Sequence, residues 1–431
     1  MNLGLTVLLW TTYILSLYIT VYWIIVFSKE RFLEKGDRKD TVALKRFPVV
    51  SVIIPAYNEE KTITASIDSV LALDYPADKL ELVVVDDGST DTTKKKVEEC
   101  IRANKGRAIV LISQKNQGKA AAMNNALKQI KGEFFACLDA DSFVDKNTLK
   151  KMLKVYEEDG KDLAIVTPAL KVKDPKTLTQ KMQSIEYLVS FFIVRIMSFI
   201  DCVYVAPGPF SLYRAEVIKK LGGFDTGSLT EDQEIAYRAQ KHYYKIKQCY
   251  DGYVFTVAPK SLSGLYKQRN RWIKGSLYTM IKYREIIFNR KYGDFGIMQM
   301  SINILAFALS LMGLFFMAIF VLRPIMDMIK NLYLLNFDIM PFIKDLKNIK
   351  FYIIDLNFQN GILLWFLLVV TLAIIYIAYK NANEKFRKKD IFVLVPYLFF
   401  YYVAISLIII MVLFEIIIDK RHHWRKKEEK E

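Results

Sequence analysis

Hydrophobic and polar positions divide this chain into regions of two kinds. Leu3 to Phe27 is a long uncharged stretch, and three further apolar runs follow late in the chain: Phe295 to Leu322, Gly361 to Tyr379 and Ile391 to Ile418. Each meets or nearly meets the roughly 20 apolar residues needed to cross a bilayer core. Between the first and second runs the pattern changes. Short β-branched runs (Val49 to Pro55, Leu82 to Val85, Ala108 to Ile112) alternate with helical stretches from Asn58 to Leu73, from Thr92 onward and from Gly118 to Lys131. Such alternation predicts an α/β domain with a mostly parallel, Rossmann-like sheet. The next strand is the buried run through Phe134 and Phe135, which ends in Asp139-Ala140-Asp141-Ser142. Ligands of open α/β sheets bind outside the carboxyl ends of the strands, where these two acids fall.

Further along, Thr177 to Ile200 is helical and apolar but interrupted by Arg195. It reads as a helix in the membrane surface, or packed beneath the membrane helices, rather than a span. Then come Ala206-Pro207-Gly208-Pro209-Phe210, a strand from Ser211 to Tyr213, a helix to Leu221 and the turn Gly222-Gly223-Phe224-Asp225. Thr230-Glu231-Asp232 is expected to cap another helix, and Ser261 to Ile287 forms one more amphipathic helix. The expected organisation is an anchor over 1–28, a cytoplasmic domain with interfacial helices over 45–290, a region of about three spans over 295–418, and a basic tail over 419–431.

Composition sharpens this picture. The chain is 53% hydrophobic yet carries a formal charge of +16, and its basic residues gather beside the apolar runs. Attraction to a membrane surface explains that better than nucleic acid does. Lys29, Arg31, Lys35, Arg38 and Lys39 follow the first run, so it reads as a retained anchor in the cell membrane with its basic flank cytoplasmic. Lys380, Lys385, Arg387, Lys388 and Lys389 suit a cytoplasmic loop between the last two runs. One span before the domain and three after it would place the tail outside, against the positive charge of Lys420, Arg421, Arg425, Lys426 and Lys427. A re-entrant reading of the last run, which contains Pro396, would place the tail inside. The four cysteines have no paired short spacing, so neither a zinc site nor a disulfide framework is implied.

The candidate chemistry is carboxylate chemistry. Asp139 and Asp141 are placed to converge on one hard cation, the alternative being helix N-capping by Asp141 or Ser142. Asp86-Asp87-Gly88-Ser89 ends another strand and serves either a turn or a ligand. Gln268, Arg271 and Trp272 lie three and four apart on a helix and share a face.

Taken in order with Pro55-Ala56-Tyr57-Asn58-Glu59, these motifs resemble the membrane-embedded family-2 glycosyltransferases, the group of cellulose, chitin and hyaluronan synthases and the nodulation N-acetylglucosaminyltransferases. The resemblance covers Val49 to Trp272 and extends to the flanking spans. It implies a GT-A domain joined to an α-helical transmembrane domain, and an inverting, metal-dependent transfer from a UDP-sugar to a growing polysaccharide. It also implies roles. Asp139 and Asp141 would hold Mg²⁺ or Mn²⁺ against the donor diphosphate, all-oxygen ligation suiting those ions. Tyr57, Glu59, Asp86 and Asp87 would meet the base and ribose, Lys119 the phosphates from a helix start, and Gln268 and Arg271 the diphosphate. Asp232 would be the single base that inversion needs. Glu231, Trp272, Gly208 and Pro209 would face the acceptor. A single addition to a membrane lipid remains an alternative to processive synthesis, as does a non-catalytic scaffold that kept the fold. The donor sugar and any homo-oligomer are left open.

Overall fold

The computed structural model of the chain describes residues 3–34, 44–338, 340, 358–387 and 390–428. Lys35, Arg38, Lys39, Lys388 and Lys389 lie outside the described residues, as do the side chains of Arg31 and of the tail from Lys420 onward.

An eight-stranded sheet in the order β3-β2-β1-β4-β7-β6-β8-β5 organises the domain. Strands β1 (Val50–Ala56), β2 (Leu80–Asp86), β3 (Ala108–Ser113) and β4 (Phe134–Cys137) are parallel neighbours, with Val52 opposite both Leu82 and Ala136. Alternate residues of these strands serve two cores. Ile53, Val83, Val85, Phe135 and Cys137 face one cluster, while Val52, Ile54, Leu82, Val84 and Phe134 face the other. Burial on both faces is why β1, β2 and β4 read as near-continuous apolar runs, whereas the edge strand β3 is only partly buried.

The other half of the sheet is mixed. Strand β7 (Ser211–Arg214) runs antiparallel to β4 and to β6 (Leu163–Val172), β8 (Lys245–Thr256) runs parallel to β6 with two register shifts, and β5 (Ser142–Val144) closes the edge. No strand is predicted from the sequence at β6 or β8, the two longest strands. Lys245, Lys247, Gln248 and the Asp251-Gly252 pair break the alternation in β8, although Leu163-Ala164-Ile165-Val166 was a usable signal for β6. Helix α2 (Ile63–Leu71) also begins later than Asn58. Asn58 Oδ1 accepts from the Thr90 amide at 2.8 Å and Glu60 Oε2 from the Thr92 hydroxyl at 2.7 Å, so this stretch is tied to the neighbouring loop instead.

Helix α6 (Leu178–Phe199) opens on a capping box made by Thr177 and Gln180. By length and composition it could cross a membrane, but 61% of its most apolar window is buried within the protein. Met182, Ile185, Leu188, Phe191 and Phe192 pack with Val26, Ile375, Ala378, Val393 and Tyr401 of the apolar helices. Leu3–Lys29, Phe295–Leu334 and Ile391–Ile418 are likewise long and apolar enough to cross, and Trp365–Asn381 forms a shorter apolar helix. Past Pro396, which cannot donate an amide hydrogen bond, a π-turn at Tyr397–Tyr401 carries the helix into Tyr402–Glu428. The re-entrant reading therefore has no reversal to rest on. All four cysteines are buried free thiols.

Candidate active site

The carboxyl ends of three strands, β1, β2 and β4, and two helix starts meet at one end of the sheet. Tyr57 follows β1 and is exposed, and Asp86 ends β2 with its carboxylate accepting the Ser89 amide at 3.2 Å. Asp87, also buried, spends both oxygens on one loop. Oδ1 accepts from Gln114 Nε2 at 2.8 Å and the Gln117 amide at 2.9 Å, and Oδ2 accepts the Gly118 amide at 2.8 Å. Asp87 thus braces the start of helix α4 (Lys119–Leu127). Gly88, at φ +77°, is required here because a Cβ would sit 2.9 Å from the Asn116 amide nitrogen.

That bracing aims Lys119 inward. Its ammonium lies 2.6 Å from Asp139 Oδ1, beyond the end of β4, and 3.0 Å from Glu231 Oε1, at the start of helix α8 (Glu231–Lys241). Burial works against the charge on Lys119, yet Asp139 and Glu231 outweigh it and raise its pKa well above the ordinary lysine value. Gly208 closes over this pair: a Cβ there would stand 2.5 Å from Lys119 Nζ and 3.0 Å from Asp139 Oδ2. Beside it Pro209 is buried, and Phe210 holds a positive φ of 60° while donating its amide to Cys137 O at 2.5 Å. A non-glycine residue held there by surrounding contacts stores strain next to the site.

Asp141 accepts the Ser142 hydroxyl at 3.2 Å. Its pKa is pushed up to about 6 by burial and then by the charges of Asp139 and Glu59. Three carboxylates therefore repel one another on one side of Lys119, which is what a divalent cation would relieve. Among the described residues no cluster of three or more metal-ligating side chains is assembled. Asp139 and Asp141 would be partial ligands for an ion whose other oxygens come from a diphosphate; on that basis the residues fit.

Thr230 precedes α8 but, contrary to the capping expected of it, makes no side-chain cap hydrogen bond. The cause is packing: a Cβ on Gly275 of helix α9 (Leu262–Lys282) would collide with Thr230 Oγ1, whose hydroxyl is buried without a partner. Glu231 is buried, and its carboxyl is held below the ordinary range because Lys119 and, more weakly, Arg271 overrule the opposing effect of burial. Asp232, next along, accepts the Gln233 amide at 2.8 Å and is pushed up to about 6 by burial and by Glu231. Adjacent carboxylates whose pKa values are pushed apart are an arrangement suited to proton transfer.

Helix α9 completes the site. Gln268 Oε1 is buried without a hydrogen-bond partner, Arg271 is exposed near Glu231 and Asp232, and Trp272 is half-buried against Val172, Tyr187 and Ala258. One residue of this helix was not singled out from the sequence. Arg269, 8% exposed, stacks its guanidinium 4.4 Å from the centre of the Trp272 ring, pairs with Glu186 of α6, and donates to the Tyr401 hydroxyl at 3.2 Å. The lone acid Glu186 in an apolar helix was the available signal.

Comparison with known proteins agrees with this architecture. Residues 51–222 match the family model described as Glycosyl transferase family 2. The poly-beta-1,6-N-acetyl-D-glucosamine synthase of Staphylococcus aureus (strain COL) is 29% identical over 271 residues, which is 62% of this chain and 64% of that protein. Its counterpart in Staphylococcus epidermidis is 28% identical over 277 residues, 62% of this chain and 65% of that one. Among solved structures, a mannosyltransferase from Pyrobaculum calidifontis in complex with GDP-Man and Mn2+ superposes with a TM-score of 0.52 at 25% identity, covering 65% of this chain and 74% of the other. Over residues 51–222, the chain is thus similar to the family-2 glycosyltransferases.

Proposed function

We propose that this chain is an inverting, metal-dependent transferase that moves a sugar from a UDP-sugar to a growing polysaccharide, working from the cytoplasmic face of the cell membrane. The carrying observation is the junction at Lys119, where Asp139 from the donor strands and Glu231 from the acceptor helix meet one ammonium beneath Gly208. A cation bound between them in the free state is available to meet the donor phosphates, and Lys119 then releases Asp139. The donor half comprises Tyr57, Glu59, Asp86, Asp87 and Lys119. Gln268 and Arg271 approach the diphosphate from α9, where guanidinium and phosphate pair strongly.

A divalent ion held by Asp139 and Asp141 would supply charge stabilisation for the departing diphosphate. Asp232 removes the proton from the acceptor hydroxyl as that oxygen attacks the anomeric carbon. With a pKa of about 6 it is ionised at neutral pH, yet more basic than an ordinary aspartate. Glu231, Gly208, Pro209 and Trp272 shape the acceptor side. The similarity to poly-N-acetylglucosamine synthases supports a polymer product and makes UDP-N-acetylglucosamine the first donor to try.

Product size tests the reading. Purified full chain in lipid, given labelled UDP-N-acetylglucosamine and Mg²⁺ or Mn²⁺, is expected to yield a ladder or polymer. One lipid-soluble product of a single addition would refute polymer synthesis, and absence of UDP release with any common donor would refute transfer altogether.

A further inference from the structure

Helix α9 carries three of the site residues, and its own position has to be held by something. At 3.6 residues per turn, Tyr266, Asn270 and Lys274 fall along one side, with Ile273 and Leu277 beside them. Gln268, Arg271, Trp272 and Gly275 fall on the opposite side. The second side faces the site, with Gly275 pressed against Thr230 at the start of α8. The first side faces the last apolar helix. There Ile273 packs with Ile408, Ile409 and Val412, and Leu277 and Tyr266 flank them.

One carboxylate in that helix binds the whole stripe. Glu415 Oε1 accepts the Tyr266 hydroxyl at 2.6 Å, and Oε2 accepts from Asn270 Nδ2 at 2.9 Å and from the Lys274 ammonium at 2.6 Å. Three donors from successive turns therefore converge on a single side chain, and Tyr266 OH additionally accepts from Asn270 Nδ2 at 3.2 Å. An ionisable residue within an apolar helix is costly and persists where its partners repay it. Apolar contact alone would let α9 slide or rotate against its neighbour by small amounts, whereas three charge-assisted or polar bonds to one atom pair fix both its rotation and its axial position.

We infer that Glu415 is a positioning residue: it clasps the back of α9 so that Gln268, Arg271 and Trp272 meet the site in register. This rests on the catalytic reading above and extends it, making the last apolar helix part of the active-site scaffold. Glu415 touches none of the site residues itself; it acts through the helix that bears them. Since a misplacement of about 1 Å can cost on the order of 100-fold in rate, loosening the clasp acts on turnover, while the donor contacts from the strand ends stay in place.

The test uses the full chain in lipid nanodiscs. Glu415→Ala is expected to lower kcat about 10- to 100-fold, with UDP affinity measured by calorimetry weakened through Gln268 and Arg271 but not lost, and with faster amide hydrogen exchange confined to the 266–277 segment. Glu415→Gln keeps one oxygen acceptor, which serves either Tyr266 or the Asn270 and Lys274 side but not both, and is expected to restore part of the turnover and the protection. If Glu415→Ala leaves either turnover or exchange in 266–277 at wild-type level, the inference is overturned. So it is if Glu415→Gln is as impaired as alanine while melting at the wild-type temperature. Failure of the wild type to transfer sugar from any donor sinks the catalytic reading instead, and the exchange measurement still judges the clasp.

Discussion

Asp232 is asked to stay ionised beside Glu231 and yet remain basic, and its environment sets the compromise. Burial and the neighbouring charge push its pKa up to about 6, so the ionised base is depleted below that pH. Turnover is predicted to rise with pH up to about 6 and to level off above it; a profile flat down to pH 5 would exclude Asp232 as base. The same shift has a stability consequence of opposite sense. The folded state holds this proton more tightly than the unfolded chain does, so the contribution is present below the ordinary aspartate value and is lost as pH rises through about 6. Asp232→Asn should reduce turnover by about 10²- to 10⁴-fold while UDP binding in Mn²⁺ survives. Lys119→Met should behave differently: with Asp139 and Glu231 left facing each other, donor affinity falls as well as rate, which calorimetry alongside kinetics will separate.

Between residues and the molecule stand α8 and α9, whose contact at Thr230 and Gly275 sets the distance from Arg271 to the two carboxylates. Gly275→Leu should force these helices apart. Overpacking of this kind costs about 1–3 kcal/mol, read as a lower melting temperature, and the separation should also depress turnover and weaken UDP binding through Arg271. A variant with unchanged melting and unchanged turnover would show that the contact is not tight. At this scale the sequence was partly legible. The spacing of Gln268, Arg271 and Trp272 placed them on one helical face, but Arg269, between them on another face, was silent because its partners Glu186 and Tyr401 are remote in sequence.

For the whole molecule, the prediction concerns what must be bound for the site to work. Chelation by EDTA is expected to abolish turnover, and Mg²⁺ or Mn²⁺ to restore it. Rescue by zinc alone would contradict an all-oxygen site made by Asp139, Asp141 and a diphosphate. A thermal-shift screen across UDP-glucose, UDP-N-acetylglucosamine and UDP-glucuronate should single out one donor, because binding to the folded state raises its apparent stability.

Local chemistry and periodicity determined much on their own. Apolar runs buried on both faces, β-branched in β1 and β2 and aromatic in β4, specify these strands, and long apolar stretches can be satisfied only against lipid or a large core. The strand-end acids were legible for the same reason, since a carboxylate cannot end a buried strand without a ligand or a turn to receive it. What only the tertiary structure decided are relations between distant segments. The junction of Asp139, Lys119 and Glu231 depends on three elements arriving at one point. Asp87 turned out to brace the loop before α4, and Thr230, instead of capping α8, packs its side chain where the missing Cβ of Gly275 leaves room. The long strands β6 and β8 pair through register shifts that no period of two foretells. Glu415, one acid in an apolar run, acquired its meaning from Tyr266, Asn270 and Lys274 more than a hundred residues earlier, because a hydrogen bond depends on distance in space and carries no trace of separation along the chain.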